Sequence, residues 1–181
     1  MKQIFPISIQ SGMSQSGSYI LMLLEPESGR QIPLFIGQHE ANGILIAKEG
    51  VATRRPLTHE LMLNALNAYG ISVDHVTIDR VLDGVFYATL HLIGPDGEQS
   101  LDSRPTDAIT LALMTNTPIF AADEVVEETG LQSDKVTELQ SDKETESIER
   151  LEEELRRCEE NEEYERAAEI QEKIEKLKDE K

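Results

Sequence analysis

Tryptophan is absent from this 181-residue chain, cysteine occurs once, and 17 Lys and Arg face 35 Asp and Glu, for a formal net charge of −18. Each shortage excludes something. The lone Cys158 cannot close an internal disulfide, and without a CxxC pair there is no zinc framework, so stability has to come from packing. No apolar stretch nears the ~20 residues a bilayer requires. The N-terminus alternates through Ile4, Pro6, Ile7 and Ile9 and lacks a charged leader followed by an apolar run, so the expected location is the cytoplasm. The shortage of basic residues is evenly spread: residues 1–130 carry 7 Lys and Arg against 16 Asp and Glu, and residues 131–181 carry 10 against 19, so each part contributes −9. Such a surface repels phosphate backbones and excludes tight, salt-sensitive nucleic-acid binding by the bulk of the molecule. Only a local positive site or a bound divalent metal could invert that sign.

The length suits one full domain and a small appendage. Over the first 125 or so residues the apolar period switches between 2 and 3.6, which marks mixed strand and helix. Strands are expected at Ile4–Ile9, Tyr19–Leu24, Gln31–Ile36, Val73–Val81, Val85–Ile93 and Glu98–Leu101. Leu82-Asp83-Gly84 and Gly94-Pro95-Asp96-Gly97 make the last three successive hairpins, since Asp-Gly and Pro-Asp-Gly suit tight turns. Helices are expected at His39–Lys48, at Thr58–Tyr69 with Leu61, Met62, Ala65 and Leu66 as its apolar set, and at Thr106–Met114. Strands come in runs and outnumber helices, so the fold class is α+β, a mainly antiparallel sheet with packed helices.

After Gly130 the composition changes. Leu131–Glu138 reads LQSDKVTE and Leu139–Glu146 reads LQSDKETE, a tandem octapeptide with one substitution. Polar and without a core-forming period, residues 129–146 read as an acidic linker, spanning about 20–25 Å as a flexible coil. The alternative is a helix continuous with residues 147–181, because the repeat holds neither Gly nor Pro. Residues 147–181 carry two helical stripes, Ile148, Leu151, Leu155, Cys158 and then Tyr164, Ala167, Ala168, Ile170, Ile174, Leu177, separated by Glu159–Glu163 with Asn161 as an N-cap. Together they read as a two-helix antiparallel hairpin. It is too small to be stable alone, so its stripe is expected to be buried against a helical partner or a second copy of the chain, which makes a homo-oligomer.

This segment resembles the UVR motif, the helical hairpin through which the excision-repair proteins UvrB and UvrC associate. The resemblance runs over Leu151–Leu177 and centres on Tyr164-Glu165-Arg166-Ala167-Ala168 with Ile170 and Ile174 behind it. It departs at Cys158, where alanine is usual, and at Gln171-Glu172, where Arg-Asp is usual. It implies a docking role for Tyr164, Ala167, Ala168, Ile170 and Ile174.

Two segments carry the candidate chemistry. Arg55-Pro56-Leu57-Thr58-His59-Glu60 and Arg104-Pro105-Thr106-Asp107 each place Arg-Pro before a helix, with Thr58 or Thr106 available as N-cap. A guanidinium and free backbone N–H groups then converge on a positive helix end, which suits an anion. Asp102, Asp107, Glu60, Glu40, His39 and His59 are of the types that hold Mg²⁺ or Mn²⁺ and activate water. The purely structural alternative pairs Arg55 and Arg104 with Glu40, Asp102 or Asp107 to brace the fold. His75 and His91 lie in strand patterns and read as structural, and Asp83 serves its turn.

Four blocks in order, Ile36-Gly37-Gln38-His39-Glu40-Ala41, Arg55–Leu61, Asp83–Ala88 and Asp102–Ala108, resemble the bifunctional nuclease domain over roughly residues 1–128, with Thr106 where many relatives have serine. The resemblance implies nuclease activity on DNA and RNA. By matched position, Asp102, Asp107 and Glu40 would hold a divalent cation, His59 would serve as general base or acid, and Arg55 and Arg104 with Thr58 and Thr106 would steady the phosphate. The competing function is a non-catalytic acidic adaptor or anion-binding module recruited through the hairpin, which the net charge favours.

Overall fold

The computed structural model describes residues 1–11, 18–132, 155–158 and 170–171. Two antiparallel meanders account for six strands: β1 (Lys2–Ser11), β2 (Ser18–Glu25) and β3 (Arg30–Gly37), then β4 (Ser72–Leu82), β5 (Val85–Gly94) and β6 (Gly97–Ser103). A three-residue strand, β7 (Ile119–Ala121), joins them into one seven-stranded sheet in the order β3-β2-β1-β7-β4-β5-β6. It runs antiparallel to β1 and parallel to β4, and β4–β7 is the one parallel pairing among the named strands. The expected α+β class with a mainly antiparallel sheet is what the described residues form.

The turns follow local chemistry. Asp83 and Gly84 alone link β4 to β5, with φ of 51° and 77°, the left-handed pair of a type I′ turn that Asp-Gly accommodates and whose twist matches the strands. Pro95-Asp96 links β5 to β6, and Gly97 at φ 101° takes the conformation a side chain would resist.

Four helices pack on one face of the sheet. The helix α1 (Gln38–Glu49) buries Ala41 and Ile44, α3 (Pro105–Thr115) buries Ala108, Ile109, Leu111 and Ala112, and α4 (Asp123–Thr129) buries Val125 and Val126. All of these share one core cluster with Leu21, Leu23, Ile32, Leu34, Val76, Ile78, Ala88 and Leu90 from the sheet. The helix α2 (Thr58–Ala68) has no fully buried residue. Leu63 and Leu66 pack against the core, whereas Leu61 and Met62, expected to face inward, point outward at 62% and 37% exposure. A run of five apolar residues within six positions lets a helix rotate, and contact with α3 selects Leu63 and Leu66.

The opposite face differs between the two meanders. On β4–β6 it is polar: Asp79 accepts hydrogen bonds from Thr77 (2.7 Å) and Thr89 (2.6 Å), and His91 stacks on His75 with centroids 3.9 Å apart. Because Thr77 gives its proton to Asp79, His91 Nε2–H donates to Thr77 at 3.0 Å, and the Ser100 hydroxyl donates to His91 Nδ1 at 3.2 Å. Burial, and then neighbouring His75, push the His91 pKa below its ordinary value. Both histidines lie on this face.

After α4 the chain returns to the free edge of β3, where Leu131 and Gln31 exchange two backbone hydrogen bonds of 2.8 and 2.9 Å. From Ser133 onward the octapeptide repeat lies outside the described residues, as do Tyr164, Ala167, Ala168 and Ile174 of the expected hairpin. Helical backbone is seen at 155–158 and 170–171. Among the described residues no helix is long and apolar enough to cross a membrane.

The I′ turn holds Gly84 in the left-handed region at φ 77°. Gly84→Ala is expected to destabilise the domain by about 1–2 kcal/mol, the cost of a Cβ in the left-handed region. A urea unfolding midpoint that is unchanged would contradict that assignment.

Candidate active site

Arg104 leaves the end of β6 in extended conformation (φ −68°, ψ 142°) and caps α3, with Pro105 at the first helical position, where a missing N–H costs nothing. That corrects one expectation: Thr106 lies inside the first turn, and no side chain caps the helix. Thr58 likewise falls within α2, whose N-cap is Leu57 in extended conformation. In both cases the residue just before the first turn is fixed by extended backbone, and the carbonyls of Leu57 and Arg104 make the first helical bonds.

The Arg104 guanidinium holds Asp107 from two nitrogens, Nε to Oδ2 at 2.7 Å and Nη2 to Oδ1 at 3.0 Å, and reaches across to Glu40 Oε1 from Nη1 at 3.1 Å. Glu40 stands in the first turn of α1, directly after the β3 end at Gly37. A Cβ on Gly37 would come within 2.6 Å of Glu40 Oε2, so glycine leaves room for that carboxylate. On the other side, His59 Nε2 meets Asp107 Oδ1 at 3.2 Å. Elements α1, α2 and α3 thus each supply one member of a chain running Glu40–Arg104–Asp107–His59.

Burial would raise the Asp107 pKa, but hydrogen bonds from Arg104 and His59, and then their charges, outweigh it and hold the carboxyl below its ordinary value. An ionised Asp107 only accepts, so His59 Nε2 must carry the proton and donate it. In the neutral ring that leaves the Nδ1 lone pair as base. Arg104 is strengthened as a cation first by its hydrogen bond to Asp107. Of its five N–H groups, three engage Asp107 and Glu40, leaving two on an exposed side chain for an incoming oxygen.

His59 also lines a cavity of about 340 Å³ between α1, α2 and α3, with Gly43, Ala47, Leu57, Thr110 and Met114 among the walls. Glycine at position 43 lies within α1, where it costs about 1 kcal/mol relative to alanine. A Cβ there would sit 3.8 Å from His59 Cε1, ordinary contact, so glycine widens the cavity rather than averting a clash. The loop before α2 forms one rim, where Thr53 Oγ1 donates to the Arg55 carbonyl at 2.8 Å and meets Glu60 Oε2 at 3.4 Å.

Of the residues singled out from sequence, the structure brings together His59, Asp107, Arg104 and Glu40. His39 and Arg55 are exposed. Asp102 pairs with Thr89, so it shares the helix-free face, whereas Ser103 pairs with core-facing Ala88. Glu40, Asp102 and Asp107 are therefore not gathered as a carboxylate cage: two of them are spent on Arg104 and the third lies across the sheet. Among the described residues no group of three or more His, Cys, Asp or Glu side chains is placed to hold a metal ion. The cavity-lining Gly43, Leu57, Thr110 and Met114 were missed, and the helix-interior glycine was the one available signal.

A family model described as the bifunctional nuclease domain matches residues 21–134. Two Mycobacterium tuberculosis proteins, uncharacterized protein MT1877 of strain CDC 1551 / Oshkosh and uncharacterized protein Rv1829 of strain ATCC 25618 / H37Rv, are each 36% identical to this chain over 112 residues. That stretch is 62% of this chain and 66% of each relative, so the chain spans just under two thirds of the length of the curated relatives it matches.

The lowered Asp107 pKa fixes a sign. A carboxylate whose folded pKa is depressed stabilises above its unfolded value, near 3.8, and loses that contribution as pH falls through the lower folded value. The stability difference between wild type and Asp107→Asn is therefore expected to be full at pH 6–7 and to shrink below about pH 4. Urea unfolding at a series of pH values measures it, and a constant difference would refute the pairing.

Proposed function

The chain belongs to the bifunctional nuclease domain family, and from that membership we propose that it hydrolyses phosphodiester bonds of DNA and RNA at the Glu40–Arg104–Asp107–His59 site. The observation that carries the reading is a histidine fixed by an ionised aspartate through one ring nitrogen while the same ring lines a cavity. His59 Nδ1 takes a proton from water as the water oxygen bonds to phosphorus, and the same imidazole returns it to the departing oxygen as the phosphorus–oxygen bond breaks. Arg104 offers its two remaining N–H groups to a phosphate oxygen, and Arg55 adds charge from the loop before α2. Glu40 is a positioning residue that fixes the guanidinium. A divalent cation does not fit the carboxylates as arranged, so no step is routed through one. The C-terminal hairpin serves as the docking element of this reading.

One observation favours a second reading, the non-catalytic adaptor: Asp107 and Glu40 already neutralise Arg104 in a chain of net charge −18.

Cleavage of fluorescent single- and double-stranded DNA and RNA, with Mg²⁺, Mn²⁺ or EDTA, separates the two. His59→Gln and Asp107→Ala are expected to lose about 10²–10⁴-fold in rate, the usual worth of a positioned base, while keeping wild-type circular dichroism. Activity persisting in EDTA would assign the chemistry to protein groups, and activity restored only by Mg²⁺ or Mn²⁺ would mean that a cation displaces Arg104 from Asp107 and Glu40. No cleavage, or equal cleavage by wild type and both variants, would leave the adaptor. Removing residues 147–181 should spare cleavage of short substrates in an enzyme and abolish association in an adaptor.

A further inference from the structure

Among the described residues, three buried apolar side chains other than proline stand outside the core cluster: Met22, Cys158 and Ile170, at 2%, 4% and 3% exposure. Met22 belongs to β2, and its neighbours in the ladder are Ser8 and Pro33. Strand alternation sends Leu21 and Leu23 into the core beneath the helices and Met22 to the other side. The helices α1, α3 and α4 bury their apolar residues in that same core, and α2 packs against it through Leu63 and Leu66, so none of the four covers Met22. Its neighbours on the outer face, Ile20, Leu24 and Pro33, are half-buried and apolar. A methionine flanked by a serine and a proline on an open sheet does not reach 2% exposure without a cover.

The chain itself supplies one. Leu131 is hydrogen-bonded to Gln31 at the free edge of β3, and Gln31 pairs with Leu24 on this outer face, so the C-terminal segment departs from beside it. Cys158 and Ile170 lie on helical backbone and are buried without belonging to the core cluster. We propose that the C-terminal helical residues 155–158 and 170–171 dock in cis on the outer face of β1, β2 and β3, burying Cys158 and Ile170 against Met22, Ile20, Leu24 and Pro33. Tethering through the octapeptide linker favours the same chain over a second one, because a short linker sets an effective concentration near the millimolar range. Residues 1–130 carry −9 and residues 147–181 carry −6, from 14 Asp and Glu against 8 Lys and Arg, so the contact tightens as salt screens their repulsion. A partner that takes the hairpin's apolar stripe has to displace this sheet first.

Cys158 is the single cysteine and therefore a clean probe. Full-length Met22→Cys and Ile20→Cys, oxidised at low micromolar concentration, are expected to form an intramolecular disulfide in at least one variant, at a yield independent of protein concentration. A covalent dimer, growing with concentration, would place the hairpin on a second copy and overturn the proposal. Absence of any disulfide in two folded variants would overturn it as well. Should both lose their circular dichroism signal, the thiol reactivity of wild type against Pro33→Asp decides: Cys158 is expected to react about tenfold faster in the variant, as local opening exposes it, and equal rates would overturn docking on this face.

Discussion

The three-residue ladder of β7 holds the domain together and sets where its chemistry sits. Without it the sheet would be two separate three-stranded meanders. Ile119, Phe120 and Ala121 pair with β1 on one side and β4 on the other. Because β7 lies mid-sheet, α3 must cross from β6 at the sheet's edge to its centre. The crossing carries Ala108, Ile109, Leu111 and Ala112 over the core and leaves the α3 N-terminus at the edge, where Arg104 can reach α1 and Asp107 can reach α2. The same strand therefore fixes both the hydrophobic core and the meeting point of the polar chain.

A sheet with α1, α2, α3 and α4 on one side has a second face to dispose of, and the two meanders do so differently. The second places threonines, histidines, Asp79 and Asp102 there, with the hydroxyls saturating Asp79 and ordering the imidazoles. That face is comfortable in water. The first places Ile20, Met22, Leu24 and Pro33 there, which water does not favour, and Met22 is covered. The division follows from register alone: each strand alternates, so what is core on one side dictates what remains on the other.

Local signals made most of the elements legible. Alternation and turn chemistry located six strands and both tight hairpins, and the Arg-Pro steps located two helix starts to within a residue. The strand β7 was not legible because three residues after Thr117-Pro118 show no period, and α4 because seven residues with Asp123, Glu124, Glu127 and Glu128 look like acidic surface. The inward face of α2 was misread because Leu61, Met62, Leu63, Ala65 and Leu66 leave the choice to tertiary contact. At the site, residue types were readable and partners were not. Arg104 and Glu40 are 64 positions apart and His59 and Asp107 are 48 apart, separations over which local pattern says nothing. Asp102 shows the limit most clearly, since one step along β6 from Ser103 transfers a side chain to the other face.

Charge then constrains how any phosphate-bearing substrate is held. Arg104 with Asp107 and Glu40 sums to one negative charge, and Arg54 and Arg55 on the neighbouring loop together with Glu60 on the cavity wall bring the locality to zero. In a chain of −18 this is a weak anion trap, and general attraction to a nucleic-acid backbone cannot supply the affinity. What the site does offer is geometry: two directed N–H groups from Arg104 and, beside His59, a cavity walled by Ala47, Leu57 and Met114. Under the proposed function recognition rests on contact within that cavity more than on field, so binding would be less salt-dependent than in a basic nuclease.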